Sequence, residues 1–180
     1  MVDNYNKNIR ILGYNIFSGT RKEALNNVFN YDKVHIISGN PEVLFTGLNN
    51  AELFENFTSN TGFIIPDGVG TQISGKILKT PVEEKIAGIE LMKDIIKRCE
   101  DEGQGIYLLG AAEESINACV ENLLKEHPKL KILGYRNGFF DIDRWGNILI
   151  QIFPCLFVYL AKQIRAASIC LLVIQAPSTA

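Results

Sequence analysis

Cysteine is sparse and scattered in this chain. Cys99, Cys119, Cys155 and Cys170 form no Cys-x-x-Cys pair and have no nearby histidine, which argues against both a zinc site and a disulfide framework. They read as reduced thiols. Neither sign of charge is in excess: 18 Lys and Arg stand against 20 Asp and Glu, a net charge of -2, so the basic stripe that would make nucleic acid a partner is missing. The first ten residues lack the apolar core of a signal peptide, and a cytoplasmic location is expected. The most apolar stretch, residues 148–161, contains Gln151 and Pro154 and falls short of the roughly 20 apolar residues of a spanning helix. It reads as a buried strand or an interfacial segment. Internal repeats and low-complexity stretches are absent.

What remains is a chain of 180 residues, 47% hydrophobic, enough for one buried core. Short apolar runs alternate with amphipathic stretches of helical length. Strands are expected at 9–16 (or a hairpin there), 34–37, 63–65, 106–109 and 131–135. Helices are expected at 21–29, from Pro41 to near Asn56, at 69–78, 86–99 and 113–126. Asn40 suits the N-cap and Pro41 the first turn of the second helix. The longest helix carries Ile86, Ile89, Leu91, Met92, Ile95 and Ile96 as its apolar stripe. This alternation predicts an α/β fold of a single domain, a Rossmann-like, mostly parallel sheet with helices on both faces.

Ligands of such sheets bind at the carboxyl ends of the strands, in the turns that follow them. Asp67, between Pro66 and Gly68, is placed to accept a proton from a substrate hydroxyl, although aspartate in Pro-Asp-Gly also forms turns through its own side chain. Ser38 and Asn40 can bond a sugar or phosphate, or simply cap the next helix. Leu109-Gly110-Ala111-Ala112 offers backbone N–H groups to a diphosphate but lacks the three-glycine dinucleotide fingerprint, which disfavours an oxidoreductase. Asp141-Ile142-Asp143 has the Asp-x-Asp spacing of metal-dependent transferases, yet acidic residues are favoured at a helix start anyway, so no metal and no cofactor is expected. His35 and His127 show no partner in the sequence, and a catalytic histidine is not expected.

Five motifs occur in order: Ser38-Gly39-Asn40-Pro41-Glu42, Ile65-Pro66-Asp67-Gly68-Val69-Gly70, Lys85-Ile86-Ala87-Gly88-Ile89-Glu90-Leu91-Met92, Tyr107-Leu108-Leu109-Gly110, and Gly134-Tyr135-Arg136-Asn137-Gly138-Phe139-Phe140. Together they resemble the motif series of the WecG/TagA/CpsF glycosyltransferases over about residues 9–152. The resemblance implies inverting transfer of N-acetylmannosamine from a UDP-sugar donor to undecaprenyl-diphosphate-linked N-acetylglucosamine, a step in making teichoic acid linkage units. It implies work at the inner face of the cell membrane, with a membrane surface as partner and homo-oligomers as an option. Asp67 matches the family's general base, and Ser38 and Asn40 its Thr-x-Asn pair. Lys85 stands where the family has arginine, giving up a planar fork for bidentate phosphate contact. Gly110 and Asn137 complete the substrate-binding set that it implies.

The resemblance weakens after Ile152. Phe157-Val158 reads as the remnant of a family strand, Tyr159 to Arg165 replaces a Gly-x-Pro-x-Gln-Glu turn, and the family's basic amphipathic appendage is not seen. The expected division is therefore a glycosyltransferase core over 1–152 and an atypical segment over 153–180. A chain that binds nucleotide sugar without turnover is the alternative these departures imply.

Overall fold

A computed structural model describes residues 7–31, 34–139, 156–160 and 170–175. The chain divides into two compact units, residues 1–94 and 95–180.

The first unit opens with a hairpin, β1 (Asn8–Ile11) and β2 (Tyr14–Phe17), paired antiparallel with Ile9 opposite Ile16. Leu12 and Gly13 between them both have positive φ, 53° and 86°, as a tight two-residue turn matched to strand twist requires. Helix α1 (Arg21–Asn30) follows, opened by a capping box in which Thr20 and Glu23 bond each other's backbone N–H. Strand β3 (His35–Ser38) leads through α2 (Pro41–Leu48) and α3 (Ala51–Thr58) to β4 (Gly62–Ile65), and α4 (Val69–Ile77) comes next. The sheet order is β1-β2-β4-β3, with β4 parallel to both β2 and β3. Its core gathers Ile9, Tyr14, Ile16, Ile37, Leu44, Phe57 and Ile64, and the Tyr14 hydroxyl donates to the Leu44 carbonyl at 3.0 Å.

Helix α5 (Gly88–Glu102) runs across the division between the units. The second unit then builds β5 (Gly105–Leu109), α6 (Glu113–Glu126) and β6 (Lys131–Arg136), a βαβ arrangement with β5 and β6 parallel. Strands β7 (Leu156–Leu160) and β8 (Cys170–Gln175) pair antiparallel, and β8 also pairs antiparallel with β5, giving the order β6-β5-β8-β7. The strand expected at Phe157-Val158 is thus β7, and the edge of β5 away from β6 is taken by β8.

The α/β class holds, with mixed sheets: strands alternate with helices from β2 to β6. Two details differ from expectation. The single helix expected from Pro41 to Asn56 is broken at Asn49-Asn50, because Asn50 turns its side-chain oxygen to the Leu53 N–H at 3.1 Å and caps a new helix. The stripe on α5 is also narrower: Ile86 is buried but precedes the helix, and Ile89 is 55% exposed, leaving Leu91, Met92, Ile95 and Ile96 to face inward. The expected boundary at 152 and 153, and Asp141 to Asp143, lie outside the described residues.

Candidate active site

Strands β3 and β4 are parallel neighbours in register, Ser38 opposite Ile65, so the turns that follow them leave the sheet side by side. Glycine makes the approach possible. The Gly39 N–H donates to the Ile65 carbonyl at 2.8 Å, and a Cβ at Gly39 would lie 2.5 Å from that same oxygen. A Cβ at Gly70 would lie 2.5 Å from Cγ of Pro41, so the starts of α2 and α4 touch as well. The buried Thr71 hydroxyl donates to the Gly39 carbonyl and closes the contact from the helix side. Gly68, at φ 99°, turns the chain from Asp67 into α4.

This packing holds Asp67 against Ser38. The Ser38 hydroxyl, 1% exposed, donates to Oδ2 of Asp67 at 2.9 Å. Ser38 therefore does not cap α2. That task falls to Asn40 alone, whose Oδ1 accepts from the N–H groups of Glu42 and Val43 at 2.9 and 3.1 Å. Nor does the Asp67 side chain form its own turn; the backbone does so, through the Asp67 N–H on the Ile65 carbonyl at 2.8 Å. Asp67 is half-buried, and its other oxygen accepts from no described residue. One carboxylate oxygen is thus anchored and the other is left for a substrate hydroxyl. Gly68 caps α4 without a side chain, so the first N–H groups of that helix point at the same strand ends, where negative charge is favoured.

Lys85 belongs to this cluster through the backbone. The Ile86 N–H donates to the Pro66 carbonyl at 3.0 Å, which brings the exposed Lys85 beside the Pro66-Asp67 turn. The structure thus brings Ser38, Asn40, Asp67 and Lys85 together at one sheet mouth.

Gly110 and Asn137 form the equivalent turns of the second unit, after β5 and β6. The Gly110 N–H donates to the Arg136 carbonyl at 3.0 Å, and the Gly138 N–H to the Ala111 carbonyl at 2.8 Å. Gly110 and Ala111 have positive φ, 130° and 60°. The Asn137 amide donates to Glu113 and accepts from the Phe139 N–H, so it orders the turn through both ends of its side chain. Phe140 lies outside the described residues.

The histidines do find surroundings. Burial pushes His35 down to about 4, and its ring meets Phe57 edge-on. His127 Nδ1 lies 2.8 Å from one carboxylate oxygen of Glu100, whose other oxygen accepts from the Lys129 N–H at 3.0 Å. Among the described residues Cys99 and Cys119 are free thiols; burial, then the nearby Glu102 charge, pushes Cys99 up to about 12, which leaves it without nucleophilic character. Sequence reasoning missed Thr71. Its signal was a hydroxyl inside a helix whose apolar residues fall on another face.

Three comparisons bear on these turns. The model of the "Glycosyl transferase WecG/TagA/CpsF family" matches residues 9–168, running beyond Ile152, where the resemblance was read to weaken. N-acetylglucosaminyldiphosphoundecaprenol N-acetyl-beta-D-mannosaminyltransferase of Bacillus spizizenii is 29% identical over 109 residues, covering 61% of this chain and 42% of its own. The protein of the same name in Staphylococcus aureus is 27% identical over 141 residues, covering 75% of this chain and 55% of its own. The chain spans about half the length of the curated relatives it matches. With its five motifs inside the matched span, the chain belongs to the WecG/TagA/CpsF glycosyltransferase family.

Proposed function

We propose that this chain transfers N-acetylmannosamine, with inversion, from UDP-N-acetylmannosamine to undecaprenyl-diphosphate-linked N-acetylglucosamine. The observation that carries the reading is the Ser38–Asp67 bond at the ends of β3 and β4. As a carboxylate, Asp67 takes the proton of the acceptor's 4-hydroxyl while that oxygen attacks the anomeric carbon from the face opposite UDP. The bond from the anomeric carbon to the diphosphate breaks, and its electron pair leaves on UDP. Lys85 and the start of α4, which no side chain caps, stabilise the charge that develops on the diphosphate. Asn40 orders the start of α2 beside the base, and the turns at Gly110 and Asn137 of the second unit offer further substrate contacts. The relatives' name, and family membership, support this choice of substrates. On this reading the chain works on the cytoplasmic face of the membrane that holds its acceptor.

Lys85 favours a second reading, a protein that binds nucleotide sugar without turnover, because a single ammonium replaces the guanidinium fork the family motif carries. One experiment separates the two. Transfer to a short-chain lipid-diphosphate-N-acetylglucosamine analogue is followed by UDP release, beside binding of UDP by calorimetry. Turnover that falls about 10²- to 10⁴-fold in Asp67→Asn supports the transferase and its base. Turnover that survives the substitution overturns the role of Asp67, and UDP binding without turnover in the wild type selects the second reading.

A further inference from the structure

Helix α4, which follows the candidate base, has its apolar face outward. The positions facing into the unit are Thr71 and Gly75, both buried. Val69, Ile73 and Ile77, four residues apart along the opposite face, are 60%, 52% and 74% exposed. A surface helix ordinarily shows the reverse pattern. The rotation of α4 is fixed by its buried face. The Thr71 hydroxyl donates to the Gly39 carbonyl, and a Cβ at Gly75 would lie 2.9 Å from the Thr80 carbonyl oxygen. Turning the isoleucines inward would strip Gly39 of that bond and force bulk against residues 80–82.

The segment that carries the stripe is basic. Lys76 and Lys79 are exposed at its far end, and no Asp or Glu occurs between Gly68 and Val82. Neither lysine joins an ion pair among the described residues. A second copy docked with its α4 parallel to this one would bring the lysines together. An anionic bilayer complements both features, taking the side chains among its upper acyl carbons and the lysines at its phosphates. At nine residues α4 is far too short to cross a bilayer, and no described helix is long and apolar enough to do so.

We infer that α4 is a membrane-docking helix that lies in the interface of an anionic bilayer through Val69, Ile73 and Ile77, with Lys76 and Lys79 on the headgroups. Because Asp67 directly precedes the Gly68 cap of α4, docking would hold the base at the headgroup layer, where a lipid-linked acceptor presents its sugar. That purpose rests on the proposed transferase reading. The docking itself does not, since it is measured without either substrate.

The full chain is sedimented with vesicles of phosphatidylcholine alone or of phosphatidylcholine and phosphatidylglycerol in equal parts, at low and high salt. The wild type should bind the phosphatidylglycerol vesicles more tightly, and lose part of that binding in high salt. Ile73→Ser with Ile77→Ser should lower the partition coefficient on both vesicles by at least about tenfold. Lys76→Gln with Lys79→Gln should lower it about fivefold per lysine on the anionic vesicles alone. All four sites are exposed, and thermal melts matching the wild type establish that the variants fold. Wild-type binding by the isoleucine variant would overturn the inference, as would equal affinity for the two vesicles. Self-association abolished by the isoleucine variant, without vesicle binding, would assign the face to a second copy and overturn it as well.

Discussion

At the scale of single residues, the candidate site turns on which groups spend their hydrogen bonds on the fold and which keep them for a ligand. Asn40 spends its oxygen on two N–H groups of α2, and Asn137 engages both ends of its amide, whereas Ser38 spends its hydroxyl on Asp67. Removing Ser38 therefore acts through Asp67, as a positioning effect. A hydrogen bond to a charged group is worth about 1.5–3 kcal/mol, and losing part of it from the transition state costs about tenfold in rate. Ser38→Ala is expected to lower kcat about tenfold with the donor KM little changed, and Ser38→Thr, which restores the hydroxyl, to recover most of it. A purely structural role would lower the melting temperature in Ala and leave kcat per folded molecule untouched. Ser38, Asn40 and Asp67 were singled out in the sequence because turns after parallel strands carry the ligands of such sheets, whereas Lys85 came from the family resemblance alone. The division of labour among them was not. Ser38 and Asn40 are equally good caps on paper, and only the register of β3 against β4 decides that serine faces the aspartate.

At the scale of elements, the site depends on two strand ends and two helix starts packed closer than side chains allow. Gly39 is the tightest point, since an added Cβ would meet a backbone oxygen that cannot swing aside. Gly39→Ala should destabilise the first unit by about 1–3 kcal/mol, the usual cost of overpacking, and also lower activity per folded molecule by moving Asp67. A denaturant midpoint unchanged from wild type would mean that the strands separate freely there. The break between α2 and α3 gives a second test: Asn50→Ala removes a cap and should cost about 1 kcal/mol while leaving substrate turnover intact. Strand and helix positions were readable from apolar periodicity, to within a residue or two for α1, β4, α4 and α6. Periodicity did not reveal the break, because Leu48, Leu53 and Phe54 continue an apolar pattern across a pair of asparagines whose capping preference wins locally. Nor did it reveal the outward face of α4, where the inward side is set by a threonine bond and a glycine contact with no apolar signal of their own.

At the scale of the whole molecule, the α/β class followed from the alternation of runs, but the gathering of the strands into two four-stranded sheets did not, since pairing across distant segments leaves no periodicity to read. What the assembled first unit adds is a pH dependence. His35 sits half-buried on β3, and partial burial holds it down to about 4 against an ordinary 6.5. Between those values the unfolded chain binds the imidazole proton and the folded chain does not, so stability falls as pH drops through this window. The loss approaches about 3 kcal/mol at its lower end. Below it, Glu23 acts in the same direction. The Thr20 backbone N–H first, and then Lys7, hold its carboxylate down to about 2 against 4.5, so its stabilisation is present above 4.5 and is lost toward 2. The partly exposed ion pair with Lys7 adds little, since water and salt screen it. Urea midpoints measured from neutral pH down through this window should decline steadily in the wild type. In His35→Gln, which cannot take up the proton, the decline above 4.5 should flatten while the lower limb persists. An undiminished slope in that variant would place the proton uptake on groups other than His35 and leave its burial without a part in acid stability.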